Sequence, residues 1–132
     1  MKIVILFVVF VAMVNAENCG GNCPSGKCPN CPCGTTPVEV DVNAICARYS
    51  WSQECCKCIV MKESAGNGNA MNYNTDDTFD VGVFQINKVN WACNGGNPPC
   101  ALEPNLKCAI MVYQAAGSSW KLWTTAKDCG CA

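Results

Sequence analysis

The chain has 132 residues, a formal net charge of −1 and no histidine. Without histidine, Ser-His-Asp and Cys-His nucleophilic chemistry and His-ligated zinc are all excluded, so any catalysis falls to carboxylates. The charge balance lacks the basic excess of a nucleic-acid binder, and the length fits one domain.

Residues 1–16 read as a secretory leader. Met1-Lys2 gives a short positive start, Ile3 to Val14 is almost wholly apolar, and Val14-Asn15-Ala16 ends in small residues suited to cleavage. The apolar run is shorter than the roughly 20 residues that span a bilayer, so no membrane partner is expected once the leader is removed. Loss of Lys2 would leave eight basic against ten acidic side chains. All 14 cysteines lie beyond Ala16. An even count on an export route reads as a disulfide framework, because that compartment oxidises thiols.

Residues 17–37, ENCGGNCPSGKCPNCPCGTTP, hold five cysteines and almost no large apolar side chain. Such a segment cannot build a core of its own. It reads first as a disulfide clasp, pinned internally or to the domain beside it, with a binding appendage as the alternative. Cys28, Cys31 and Cys33 have the spacing of a thiolate metal site, but oxidising export favours disulfides over zinc.

From Val38 the character changes, and residues 38–132 are expected to form the main domain. Val42 to Tyr49 is a short helical candidate. Ser50-Trp51-Ser52-Gln53 has the form of a capping box, which predicts a helix from about Trp51 to Lys62. Ser64-Ala65-Gly66-Asn67-Gly68 stops it. Glu63 therefore falls at the helix C-terminal end, where the helix dipole disfavours an anion. Tyr73, Phe79 and the run Val81 to Ile86 read as strands joined by a polar turn, with Asp80 at the start of the second. A further helix is expected from about Leu106 to Ala116, ended by Gly117. Ser119 is placed to cap a last short helix to about Ala126, carrying Trp120 and Trp123. The sum is α+β: mainly helical with a small antiparallel sheet.

Glu63 and Asp80 are the notable acids. Glycosidic cleavage needs one protonated carboxyl to give a proton to the departing oxygen and one ionised carboxylate to stabilise or trap the sugar cation. Unequal surroundings separate two such groups, and apolar ones raise the pKa of the acid.

The residues around this pair carry more information. Glu63-Ser64, Asn72, Asn74, the run Asp80 to Asn87 (DVGVFQIN) and Trp91 closely resemble the c-type lysozyme and α-lactalbumin family (glycoside hydrolase family 22). The likeness extends through Cys58, Cys93, Cys100, Cys108, Trp120, Trp123 and Cys129. It covers about Val42 to Cys131 and leaves the Cys-rich N-terminal extension, residues 17–37, without a counterpart. The resemblance implies a disulfide-rich, lysozyme-like fold and a muramidase hydrolysing β-1,4 bonds of peptidoglycan, with Glu63 as general acid and Asp80 as nucleophile or charge stabiliser. It implies Asn72, Asn74, Gln85 and Asn87 as residues shaping the cleft, and Trp91 as a sugar-stacking residue next to Asn90, which replaces a family tryptophan. Trp120 is implied as an apolar wall beside Glu63, with a plain core role for Trp120 and Trp123 as the alternative. The family pattern further implies disulfides Cys58–Cys129 and Cys93–Cys100, leaving Cys108 to find a partner such as Cys55 or Cys56.

The expected partner is peptidoglycan or a related β-1,4-linked amino-sugar polymer, met by a monomer secreted or routed to a lysosome- or phagosome-like compartment. No cofactor or metal is expected. Between Cys93 and Cys108 the one carboxylate is Glu103, which argues against a calcium loop. Two other readings stand beside this one. A lytic transglycosylase would use Glu63 alone, and a non-catalytic relative would bind glycan without cutting it.

Overall fold

A computed structural model describes residues 16–132, so the leader lies outside the described residues apart from Ala16. Two helices open the main body. Helix α1, Val42–Cys46, is capped by the Asp41 side chain, which accepts from Ala44 N at 3.1 Å. Helix α2, Gln53–Ser64, begins two residues later than the sequence suggests. Its cap is Ser52, whose hydroxyl accepts from Cys55 N, while Gln53 turns back to donate to the Cys46 carbonyl at 2.9 Å. Trp51 is thereby freed from the helix and enters the core, its indole N–H also on Cys46 O. Ile59 and Val60 are fully buried on α2, each worth about 1.5–3 kcal/mol of transfer free energy.

Three short strands follow: β1, Met71–Tyr73; β2, Phe79–Val81; and β3, Ile86–Asn87. They pair antiparallel in the order β1-β2-β3. The expected unbroken strand from Val81 to Ile86 is instead cut by a turn over residues 82–85. Gly82 and Gln85 there both adopt positive φ, and Gln85 N donates to Gly82 O. Gly82 is required twice over: a Cβ at that position would sit 2.0 Å from Asn105 Nδ2, and φ is +81°.

Lys88–Asn94 form a 3-10 helix that leads by loop to helix α3, Leu102–Ala115. The latter starts four residues before the expected Leu106. Pro104 does not prevent this, because it is the third helical residue and its missing N–H has no intrahelical acceptor to lose. The expected last helix from Ser119 does not form. Ser118 has φ of 60°, the Ser119 hydroxyl accepts from Lys121 N, and only Thr124–Ala126 makes a short 3-10 turn.

All fourteen cysteines are paired, which replaces the thiolate metal reading of Cys28, Cys31 and Cys33. Within the N-terminal extension run Cys19–Cys31 and Cys23–Cys28. Cys33–Cys100 joins the extension to the loop before α3. Cys46–Cys56 ties α1 to α2, and Cys55–Cys131 and Cys58–Cys129 tie α2 to the C-terminal tail. The expected Cys93–Cys100 bridge is not made. Cys93 pairs with Cys108, which therefore does not reach Cys55 or Cys56. The extension explains the change, since its Cys33 takes Cys100 and leaves Cys93 to the nearer helix.

The core between helices and sheet is aromatic. Trp51 packs against Trp120, Phe84 and Tyr113, and Trp120 against Trp123, at ring-centroid distances from 4.7 to 5.6 Å. Such pairs add about 0.5–1.5 kcal/mol each beyond burial. The turn over residues 82–85 is locked to this core by Asn105, fully buried on α3. Its amide donates to Val81 O and Pro99 O, and its oxygen accepts from Phe84 N at 2.8 Å.

Candidate active site

The strand register brings Asp80 between two amides. Asn72 pairs with Asp80 across β1 and β2, and Asp80 with Asn87 across β2 and β3. Directly opposed residues share one face of a sheet, so the three side chains form a row. Asn74, two residues past Asn72, continues it. The turn over residues 82–85 makes this possible: on one extended strand, Asp80 and Asn87 would lie roughly 23 Å apart and on opposite faces. Here Asn87 Nδ2 donates to Asp80 Oδ1 at 2.7 Å.

Thr78 is the hub of the row. Its hydroxyl accepts from Asn74 Nδ2 and Asn87 Nδ2 and donates to Asp76 at 2.5 Å. Asn72 in turn donates to Asn74 Oδ1. Gln85 is a strut: its amide nitrogen donates to Ala70 O and Gly82 O, both at 2.9 Å.

Glu63 comes to the same cleft from the last turn of α2. Ser64 fixes that end, donating to Val60 O and accepting from Gly66 N, and Ala65 closes the helix in the left-handed region. Glu63 is half-buried, and Thr125 Oγ1 donates to its Oε2 at 2.7 Å. Glu63, Asn74, Asp80 and Gln85 line two adjoining cavities of about 510 and 280 Å³, which together form one groove passing both sides of the acid pair.

The two carboxyls experience different surroundings. Burial pushes the Glu63 pKa up, the Thr125 hydroxyl pulls it back, and the charge of Asp80 pushes it further up. Burial also raises Asp80. Opposing that are bonds from three amides, Asn87 most strongly and then Asn74 and Asn72, while the charge of Asp76 adds to the rise. Amide donors favour the ionised form, so Asp80 is the better-supported anion and Glu63 the better-supported acid.

Two expected aromatic contacts fall elsewhere. Trp91 is buried, with its indole N–H on Ile86 O at 3.0 Å, and it lines neither half of the groove. Trp120 lies inside the aromatic cluster and also lines neither half. The apolar wall beside Glu63 is made by Trp123 and the exposed Leu122. The backbone turns over 118–123 cause this, because they carry Trp120 inward and Leu122 outward where a helix was expected.

Thr125 and Thr78 escaped the sequence reading. For Thr125 a signal existed. Glu63 follows Cys58 by five residues and Thr125 precedes Cys129 by four, so the Cys58–Cys129 bridge brings the two side chains near each other. For Thr78, a threonine in a polar turn, there was none.

Mainly helical packing on a three-stranded antiparallel sheet, seven disulfides and a groove holding Glu63 and Asp80 define an α+β, lysozyme-like protein. No family model matches the chain. Curated proteins do. Lysozyme C of Takifugu rubripes is 43% identical over 54 residues, covering 41% of this chain and 37% of that protein. Lysozyme C of Scophthalmus maximus is 34% identical over 62 residues, 47% of this chain and 43% of that protein. Lysozyme 2 of Lucilia sericata is 34% identical over 91 residues, 54% and 60% respectively. The chain spans about half the length of the curated relatives it matches. Over those matched stretches the chain is similar to c-type lysozymes.

Proposed function

We propose that this chain is a secreted glycoside hydrolase of the lysozyme type, cutting β-1,4 bonds of peptidoglycan. The observation that carries the proposal is the placing of Glu63 and Asp80 in one groove with unlike surroundings. Glu63, whose neutral form is favoured by burial, gives its proton to the glycosidic oxygen as the bond to the sugar carbon breaks. Asp80, whose ionised form the amide row favours against the burial that raises its pKa, traps or stabilises the positive sugar carbon. Water then completes hydrolysis, and Glu63 recovers its proton from that water. The names of the relatives support the reaction class, and fourteen paired cysteines fit an extracellular setting.

The test is a pH-dependent peptidoglycan assay on wild type, Glu63→Gln and Asp80→Asn. Glu63→Gln should lose at least about 10³-fold in kcat/KM, and Asp80→Asn at least about 10²-fold. Products should carry the mass of one added water. Binding without any cutting by wild type would defeat the proposal. Full activity in Asp80→Asn with anhydro products would instead leave Glu63 acting alone.

A further inference from the structure

The extension does not hang away from the groove. Asn22 is fully buried: its amide nitrogen donates to Gly34 O and Thr36 O, and its oxygen accepts from Asn67 Nδ2 at 2.8 Å. Its carbonyl accepts from Met71 N at 2.8 Å, so the extension adds a backbone bond at the start of β1. Gly20 lies so close to the Thr35 backbone that a Cβ there would meet Thr35 O at 2.0 Å. With two internal disulfides and the Cys33–Cys100 bridge, the segment is a fixed piece of the domain. From that anchorage the exposed Pro24 and Ser25 project as a rim of the larger half of the groove, which also holds Glu63 and Asp80.

We infer that residues 17–37 form a wall of the substrate groove and supply, at Pro24 and Ser25, a binding subsite for an uncharged sugar ring. The inference rests on the glycosidase reading for its choice of ligand. Among the described residues lining this half, Glu63 and Asp80 are the only ionisable side chains; the remainder offer amides, hydroxyls and small apolar surfaces. Anionic sugars find no cation there and the Asp80 carboxylate to repel them. A pyranose suits the rim, since it presents an apolar C–H face to a proline ring and hydroxyls to a serine.

Deleting the segment would strip Asn67, Met71 and Cys100 of their partners, so point substitutions at the rim are the useful probe. Ser25→Trp crowds the proposed subsite, Ser25→Ala removes its hydroxyl, and Lys27→Trp places the same bulk on the exposed tip outside the groove lining. The probe is the β-1,4-linked hexamer of N-acetylglucosamine, with cleavage followed by product length and binding followed by calorimetry. Ser25→Trp should raise KM about tenfold or more, change kcat less, and move the bond that is cut. Ser25→Ala should raise KM two- to threefold by the same reasoning, and Lys27→Trp should match wild type. Wild-type KM and product lengths in Ser25→Trp would overturn the inference. So would equal impairment in Lys27→Trp, which would mark a general disturbance of the tip. If wild type binds the hexamer without cutting it, the hydrolase reading fails, and loss of binding in Ser25→Trp alone still supports the subsite. A wild type that neither binds nor cuts overturns both.

Discussion

Thr125 donates its hydroxyl to Glu63 across 2.7 Å, joining the C-terminal tail to the end of α2. The bond favours the ionised form of the acid and so works against burial, which favours the neutral one. Thr125→Val should let the Glu63 pKa rise further. The alkaline limb of the pH profile of kcat/KM, set by loss of that proton, should move to higher pH. An unmoved limb would mean that the hydroxyl does not tune the acid.

Asn87→Ala should act on the other limb. Removing the 2.7 Å bond to Asp80 takes away its strongest amide support and raises its pKa. The acidic limb should move to higher pH, narrowing the active range where Thr125→Val widens it. A fall in kcat/KM of about tenfold or more should accompany the shift. Steady-state profiles of the two variants, measured side by side, check both signs.

Stability should depend on pH through Glu63. Its folded pKa lies above its unfolded value, so the folded state keeps a proton that the unfolded chain has already released. Stability is therefore lost as pH rises from the ordinary glutamate range through the folded pKa. Glu63→Gln cannot ionise and escapes that loss. Its melting temperature should match wild type in acid and exceed it by a few degrees at most near neutrality. Scanning calorimetry across pH tests this, and a constant difference at every pH would contradict it.

Asn105→Ala should cost about 2–4 kcal/mol, because it orphans Phe84 N, Val81 O and Pro99 O in a fully buried site. The turn over residues 82–85 would loosen, and Asp80 and Asn87 with it. Urea unfolding should show the stability loss, and the activity loss should exceed what unfolded protein explains.

Replacing Cys33 and Cys100 together by alanine should lower stability by about 2–4 kcal/mol, since the bridge closes a sequence separation of 67 residues. Cys93–Cys108 should remain formed, as peptide mapping under non-reducing conditions can show. Transfer of Cys93 to another partner would indicate that the extension dictates the pairing only indirectly.

Much of the site was legible in sequence because its chemistry is local. Glu63 at a helix end and Asn72, Asn74, Asp80 and Asn87 around short strands are set by caps and turns within 25 residues. What escaped depends on long-range geometry. A mostly apolar run such as Val81 to Ile86 reads as one strand, and only the buried Asn105, 20 or more residues away, reveals that it must bend. Asn105 did carry a signal, since it shares a helical face with the buried Ala109 and Val112. Trp91 and Trp120 were misplaced for a different reason. Burial of a tryptophan is decided by backbone turns at either side, and hydrophobicity alone does not say whether its ring faces a ligand or a core. The bridge from Cys33 to Cys100 could not be read at all, because pairings among fourteen cysteines are fixed by proximity in the folded chain.

The two bridges from α2 to the tail, Cys55–Cys131 and Cys58–Cys129, hold the end of α2 that bears Glu63 to the tail in a way that matters when proteases cut the chain. A cut anywhere between residues 65 and 122 would leave the segment bearing Glu63 covalently joined to the segment bearing Thr125. The nicked molecule would keep its acid and the hydroxyl that tempers it as one piece. Such a chain can lose backbone continuity long before it loses the local environment of its acid, so fragmentation on a reducing gel would be a poor guide to remaining activity.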